Sequence, residues 1–232
     1  MMIIDGMTKK YSNNRGIIDF SLQCKEGEVI SLIGPNGSGK STSLKGIAGL
    51  SKLQKGSVSL DGKLTCLAET KRMIGYLPEE LQFANNMTGY ELIEMVNAIK
   101  YENFDGTEEE HIQNMMKDFD IWEYRHMKVK NYSVGMLKKL GIIIAMLRFP
   151  RLIILDEPTN GVDTKGIITL KAYMETAKER GCISVVSSHI LDFISTISTK
   201  NVFLKEGHVE RIVESSENVN LEKVYKELYL RV

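Results

Sequence analysis

Gly34-Pro35-Asn36-Gly37-Ser38-Gly39-Lys40-Ser41 stands between the apolar run Glu28–Gly34 and a segment with Leu44, Ile47 and Ala48 at helical spacing. The β-branched run predicts a buried strand, and the spacing predicts a helix over Lys40–Leu50. A glycine-rich turn between strand and helix lets backbone N–H groups face inward around an anion, and the helix N-terminus adds partial positive charge. The spacing fits G-x-x-x-x-G-K-[ST], in which Lys40 reaches β- and γ-phosphates and the Ser41 hydroxyl takes Mg²⁺. Gly34 through Ser41, with Thr42 in the same first turn of helix, form a candidate phosphate cradle. The alternative is a glycine-rich turn without a ligand, and the strand–loop–helix context argues against it.

A second motif is needed to hold the metal and activate water. Leu152-Ile153-Ile154-Leu155-Asp156-Glu157 is four apolar residues followed by two carboxylates. A buried strand ending in Asp156 places a carboxylate beside Mg²⁺ and the phosphates. Glu157 is then placed to orient or deprotonate the attacking water as general base. Alone, an acidic pair ending a strand could be solvated loop charge; together with the phosphate loop it points to catalysis.

Working outward, extended segments are expected around Met2–Ile4 and Ile17–Cys24, separated by the polar stretch Ser12-Asn13-Asn14-Arg15-Gly16. From Thr88 to Met127 the pattern turns helical: Leu92, Met95, Val96 and Ile99 mark one core-facing helix, and Ile112, Met115, Met116 and Phe119 another. Glu108-Glu109-Glu110 fits the first turn of a helix after Thr107, where acids favour the dipole. A long helix is expected after Val134, then a strand Leu152–Leu155, a helix from about Lys165, a strand Ile183–Ser187 and a short helix after His189. A hairpin of Asn201–Lys205 and His208–Val213 around Glu206-Gly207 and a terminal helix from Leu221 close the chain. Strands alternating with helices indicate an α/β fold.

Composition limits the partners. The 232 residues are 43% hydrophobic and 26% charged, ordinary for a globular chain. Thirty basic and 30 acidic residues cancel, so no global positive field is available to hold nucleic acid. Cys24, Cys66 and Cys182 are odd in number and far apart, which suits a reduced compartment and argues against a disulfide framework or zinc site. The apolar stretch Leu140–Leu155 is broken by Arg148, Pro150 and Arg151, short of a membrane span. No signal peptide is expected in Met1–Lys10, and the chain by itself reads as cytosolic.

Four further pieces carry a resemblance. Tyr132-Ser133-Val134-Gly135-Met136, opening a long helix, resembles the signature sequence of ATP-binding cassette (ABC) proteins, usually L-S-G-G-Q. Asn160-Gly161-Val162-Asp163 after Glu157-Pro158-Thr159 resembles their D-loop, His189 their switch histidine, and Tyr11 the aromatic that faces adenine. The likeness covers nearly the whole chain. It implies an α/β P-loop nucleoside triphosphate hydrolase core over residues 1–232, a single ATPase domain with a helical subdomain inserted at about 88–150. It also implies two nucleotide domains meeting head to tail with ATP and Mg²⁺ between them. Ser133 and Gly135 would meet the partner domain's γ-phosphate, Asp163 would link the two sites, and His189 would donate a hydrogen bond to the γ-phosphate.

Two motifs depart from the family pattern. Ile74-Gly75-Tyr76-Leu77-Pro78 is followed by Glu79 where glutamine is usual, with Gln82 three places later. Glu79 is the expected functional position; its carboxylate can offer Mg²⁺ an oxygen but adds negative charge near the γ-phosphate. In the signature, Val134 and Met136 replace glycine and glutamine. That form resembles the exporter branch that handles drugs, peptide antibiotics or lipids with separate membrane subunits. Arg125, Lys128 and Lys130, then Lys138 and Lys139, are expected to form solvated surface, or in part a face by which the helical region docks a membrane subunit. The reading is an ATP-hydrolysing subunit of a membrane transporter, held at the cytoplasmic face through a transmembrane permease and paired with an identical or different nucleotide domain. A soluble ABC-type ATPase of a cytosolic assembly machine and a poorly hydrolysing nucleotide-binding regulatory module are the alternatives.

Overall fold

The computed structural model describes residues 1–11, 15–101, 107–217 and 219–230. In chain order they form β1 (Met2–Lys10), β2 (Gly16–Cys24), β3 (Val29–Ile33), α1 (Lys40–Ile47), β4 (Lys55–Leu60), β5 (Lys63–Leu64), α2 (Ala68–Lys71) and β6 (Ile74–Leu77). Then follow α3 (Gly89–Lys100), α4 (Thr107–Asp118), α5 (Val134–Met146), β7 (Leu152–Asp156), α6 (Thr164–Glu179) and β8 (Ile183–Ser187). The chain ends with α7 (Leu191–Ile197), β9 (Lys200–Lys205), β10 (His208–Glu214) and α8 (Leu221–Tyr229). Residues 12–14 of the polar stretch between β1 and β2 lie outside the described residues.

A six-stranded sheet runs in the order β10-β9-β3-β8-β7-β6, and a four-stranded sheet in the order β2-β1-β4-β5. The pairs β9–β3, β3–β8, β8–β7 and β7–β6 are parallel, which requires crossovers and leaves both faces covered. This is why β7 and β3 are buried at every residue, without alternation. Successive side chains of a strand point to opposite faces. Leu152 and Ile154 pack toward the antiparallel sheet, with Ile30, Leu32, Ile4, Phe20 and Leu44. Ile153 and Leu155 pack the other way, among Ile112, Met115, Phe119, Ile142 and Phe193 from the helices. Helix α1 sits between the two sheets, touching β1, β2, β7 and β8, so the phosphate loop at its start is gripped from both sides.

Between β6 and β7 the described residues are helical or irregular. Thr88 opens α3 with a capping box: its hydroxyl accepts from the Glu91 N–H at 3.2 Å, and the Glu91 carboxylate accepts from the Thr88 N–H at 2.8 Å. The expected core face of α4 holds, since Ile112, Met115, Met116 and Phe119 are all buried. That of α3 is corrected: Leu92 and Ile93 are buried, whereas Met95 and Ile99 stand exposed at 39% and 64%. The buried face of α3 runs through Gly89, Leu92, Ile93 and Asn97, with Val96 partly buried against the core, and Met95 and Ile99 lie to the side of it. Lys138 and Lys139 correct a second expectation. Only 4% and 6% exposed, they are buried on the inner face of α5, not on a solvated surface; Lys128 and Lys130 are exposed as expected.

Sequence reading passed over β4, β5 and the antiparallel sheet they complete. Val58 and Leu60 are its only buried residues in β4, too few to signal a strand. Among the described residues no helix is long and apolar enough to cross a membrane.

Candidate nucleotide site

Four segments converge because each leaves the C-terminal end of a parallel strand. The phosphate loop follows β3, Pro78-Glu79 follows β6, Asp156-Glu157 ends β7, and Ser188-His189 follows β8. In open α/β sheets such ends form the binding crevice. They enclose a cleft of about 380 Å³ lined by Asn36, Gly37, Gly39, Lys40, Ser41 and Thr42 on one side. Glu79, Glu157 and His189 line another part, and Tyr11, Arg15 and Gly16 the rest.

The loop's shape follows from its glycines. Gly39 takes φ +110° as the residue before α1, and a Cβ there would lie 2.4 Å from the Gly16 carbonyl oxygen. The loop is pinned by N–H donation from Ser38 to Pro35 O at 3.1 Å and from Gly207 to Ser38 O at 3.0 Å. The Ser38 hydroxyl is buried and has no hydrogen-bond partner in the described structure. Lys40 folds its ammonium back over the loop, donating to Gly34 O at 2.7 Å and Pro35 O at 3.3 Å. Burial pushes its pKa down, opposed by the nearby carboxylates of Glu157, Asp156 and Glu79. A buried cation beside a glycine-rich loop and a helix start suits a polyphosphate.

Opposite the loop, Ser187 organises the acidic pair. Its hydroxyl donates to Asp156 Oδ1 at 2.6 Å and accepts from the Glu157 N–H at 3.0 Å. Glu157 leaves the strand with φ +48°, in the left-handed region, and is 2% exposed. Such a conformation in a bulky residue persists only where its surroundings fix it. His189 donates its backbone N–H to Glu157 Oε2 at 3.2 Å, and its Nε2 lies 3.0 Å from Oε1 without the alignment of a hydrogen bond. Burial pushes the Glu157 carboxyl up, while His189 and Lys40 pull it down. Its proximity to the phosphate loop suits a group that acts on water beside a terminal phosphate.

The remaining expected site residues lie outside this lining. Ser133 begins α5, its hydroxyl accepting from the Met136 N–H at 3.2 Å, and Val134 beside it is 75% exposed. Asp163 begins α6, accepting from the Gly166 N–H at 2.8 Å and pairing with Lys139 Nζ at 2.8 Å. The Lys139 contact is the main reason its carboxyl is pulled below the usual range. One chain therefore brings Tyr11, Lys40, Ser41, Thr42, Glu79, Glu157 and His189 around one cleft, with Asp156 behind them. Ser133, Gly135 and Asp163 are presented elsewhere, at helix starts. Sequence reading missed Ser187, Arg15 and Gly16. Only Ser187 had a signal, a hydroxyl closing the apolar run just before His189.

The family model described as ABC transporter matches residues 17–160. The chain belongs to the ABC transporter family. It is 31% identical over 225 residues to the lantibiotic transport ATP-binding protein SrtF of Streptococcus pyogenes, covering 97% of this chain and 96% of that one. Among solved structures, the ATP binding subunit of an ABC transporter superposes with a TM-score of 0.91 at 26% identity, covering 98% and 99% of the two chains. A dimeric cassette, MJ0796, in a post-hydrolysis state bound to ADP and Pi, superposes with a TM-score of 0.82 at 26% identity, covering 93% and 99%. The α/β P-loop fold with a helical subdomain and the ATP-binding cassette ATPase class are thus established for this chain.

Proposed function

We propose that this ABC ATPase powers an exporter through a separate membrane subunit, working as a pair of nucleotide domains that close on ATP. The observation that carries the reading is the division of its functional groups between a complete phosphate cleft and a separate, exposed signature. The signature N-terminus of α5 lies outside its own cleft, which suits donation to the γ-phosphate of a second domain. The relative SrtF is a lantibiotic transport ATP-binding protein, which supports the transport reading.

The residues fit Mg²⁺ and ATP. A buried, unpartnered Ser38 hydroxyl, a loop that excludes Cβ atoms and a buried ammonium are features that suit a polyphosphate. Among the described residues no group of three His, Cys, Asp or Glu side chains is gathered to hold a cation alone. Ser41, Asp156 and Glu79 would hold Mg²⁺ together with phosphate oxygens, the usual arrangement for this ion. Bound there, Mg²⁺ would supply positive charge to offset that of the phosphates. Gly34, Pro35, Asn36, Gly37, Ser38 and Gly39 wrap the phosphates, and Thr42 closes the first turn of α1. Lys40 turns from the loop carbonyls to phosphate oxygens, and Tyr11 stacks on adenine. Glu157 orients water for attack, with His189 moving from the carboxylate toward the γ-phosphate. Asp163 carries the link between the two sites. The helical region from Thr88 to Lys130 is the docking unit, and the chain sits at the cytoplasmic face of the membrane through its permease.

Gentle solubilisation of membranes from the native cell, with this chain tagged, tests the membrane coupling. A multi-helix membrane protein is expected in near-equal amount. Recovery solely from the soluble fraction, with cytosolic partners, contradicts it.

A further inference from the structure

Lys138 stands out among the buried charges. It lies on α5 and is 4% exposed, yet among the described residues its ammonium has no carboxylate within ion-pair distance. Its three N–H donors instead face three carbonyl oxygens: Pro78 at 3.4 Å, Glu79 at 3.2 Å and Asp156 at 3.3 Å. Two of these belong to the chain leaving β6, and the third is the last residue of β7. Those strands are neighbours, so one side chain ties together the two strand ends that carry Glu79 and Asp156 into the site.

Burying an ammonium is unfavourable unless its surroundings compensate. Here the carbonyl dipoles do so in part. Burial pushes the Lys138 pKa down, and the carboxylates of Asp156, Glu79 and Glu157, whose fields favour the charged lysine, offset it only in part. Lys40 feels the same three carboxylates from the cleft side. Two buried ammonium groups therefore face three acidic side chains, in a place built to receive a polyanion. Of the three, Glu79 is the exposed one lining the cleft.

We propose that Lys138 is a positioning residue for Mg-ATP. Its ammonium fixes the Pro78–Glu79 strand end against that of Asp156 and offsets the negative charge that Glu79 brings beside the phosphates. The inference rests on the nucleotide reading of the cleft. Lys138 touches neither nucleotide nor metal; it acts through the backbone and through its field.

A double-mutant cycle on the full chain separates this role from packing: Lys138→Met, Glu79→Gln and the pair. The readouts are the dissociation constant of Mg-ATP by titration calorimetry, the kcat and KM of turnover, and the thermal midpoint. With Glu79 present, Lys138→Met is expected to weaken Mg-ATP binding about tenfold; with Glu79→Gln in place, the loss falls to less than about threefold. Should Lys138→Met not fold, Lys138→Gln, which keeps donors but removes charge, is read in the same cycle. A lysine that merely packs lowers the thermal midpoint equally in both backgrounds and shows no coupling, so equal losses overturn the inference. Wild-type affinity in either Lys138 variant also overturns it. A wild-type chain that binds no Mg-ATP overturns the nucleotide reading and this inference together, whereas equal losses leave that reading standing.

Discussion

Ser187 shows how little chemistry is needed to hold the acidic pair. One hydroxyl donates to Asp156 and receives from the Glu157 N–H, fixing a carboxylate and the backbone of its neighbour at once. Without the hydroxyl Asp156 loses this side-chain partner, while the Glu157 N–H keeps a second acceptor in the Ser187 carbonyl at 3.2 Å. Tyr11 is held more loosely, 45% exposed, with the Lys9 ammonium 5.5 Å from its ring centroid. If its ring stacks on adenine, Tyr11→Ala weakens ATP binding about tenfold, since base–aromatic stacking is worth about 1–3 kcal/mol, whereas Tyr11→Phe stays within about twofold. A fluorescent-nucleotide titration reads both; unchanged affinity in Tyr11→Ala excludes the ring as the base platform. The phosphate loop and the acidic pair were legible in the sequence because each is contiguous and its chemistry fixes the spacing. Ser187 and Lys138 were not, because their roles depend on strands that become neighbours only after folding. A lysine pair following the signature looks like any solvated charge run until α5 turns it inward.

At the scale of elements, apolar runs without alternation marked the buried parallel strands correctly, since both of their faces are covered. In the antiparallel sheet β1 and β2 fall on the expected extended segments, while β4 and β5 were hidden for the opposite reason: β4 buries only Val58 and Leu60, and β5 has no buried residue. Helix α3 carries a further consequence. Lys100 in its last turn donates to Ile74 O of β6 at 2.7 Å, and burial lowers its pKa to about 8. The unfolded chain, with an ordinary lysine near 10.5, binds more protons than the folded one between those values. Stability therefore rises as pH climbs from about 8 toward about 10.5, and this contribution is lost as pH falls back through the folded value. Lys100→Met removes the titrating group, so the wild-type midpoint is expected to rise relative to the variant's across that window. Parallel midpoint-versus-pH curves for the two proteins contradict the assignment. Because Lys100 joins α3 to the edge strand that carries Glu79, this pair also ties the helical segment to the site.

Across the whole molecule, the two core layers on either side of the six-stranded sheet make the cleft a rigid edge. Four strands end there in register, and α1 is clamped between the sheets. The signature and Asp163 lie at helix starts outside that cleft, and the Lys139–Asp163 pair holds the two helices that carry them in one fixed relation. A single chain thus offers a receptor for nucleotide and, separately, an anion-seeking face. In the proposed function two nucleotide domains complete each other's sites, and hydrolysis at Glu157 undoes the closure. Glu157→Gln keeps the shape of the side chain but loses the carboxylate proposed to act on water. Light scattering of this variant with and without Mg-ATP, beside its rate of phosphate release, tests the account most directly. The expected result is a monomer that becomes a stable dimer with Mg-ATP while turnover falls at least about a hundredfold. A variant that turns over at the wild-type rate, or that binds Mg-ATP and stays monomeric, contradicts it.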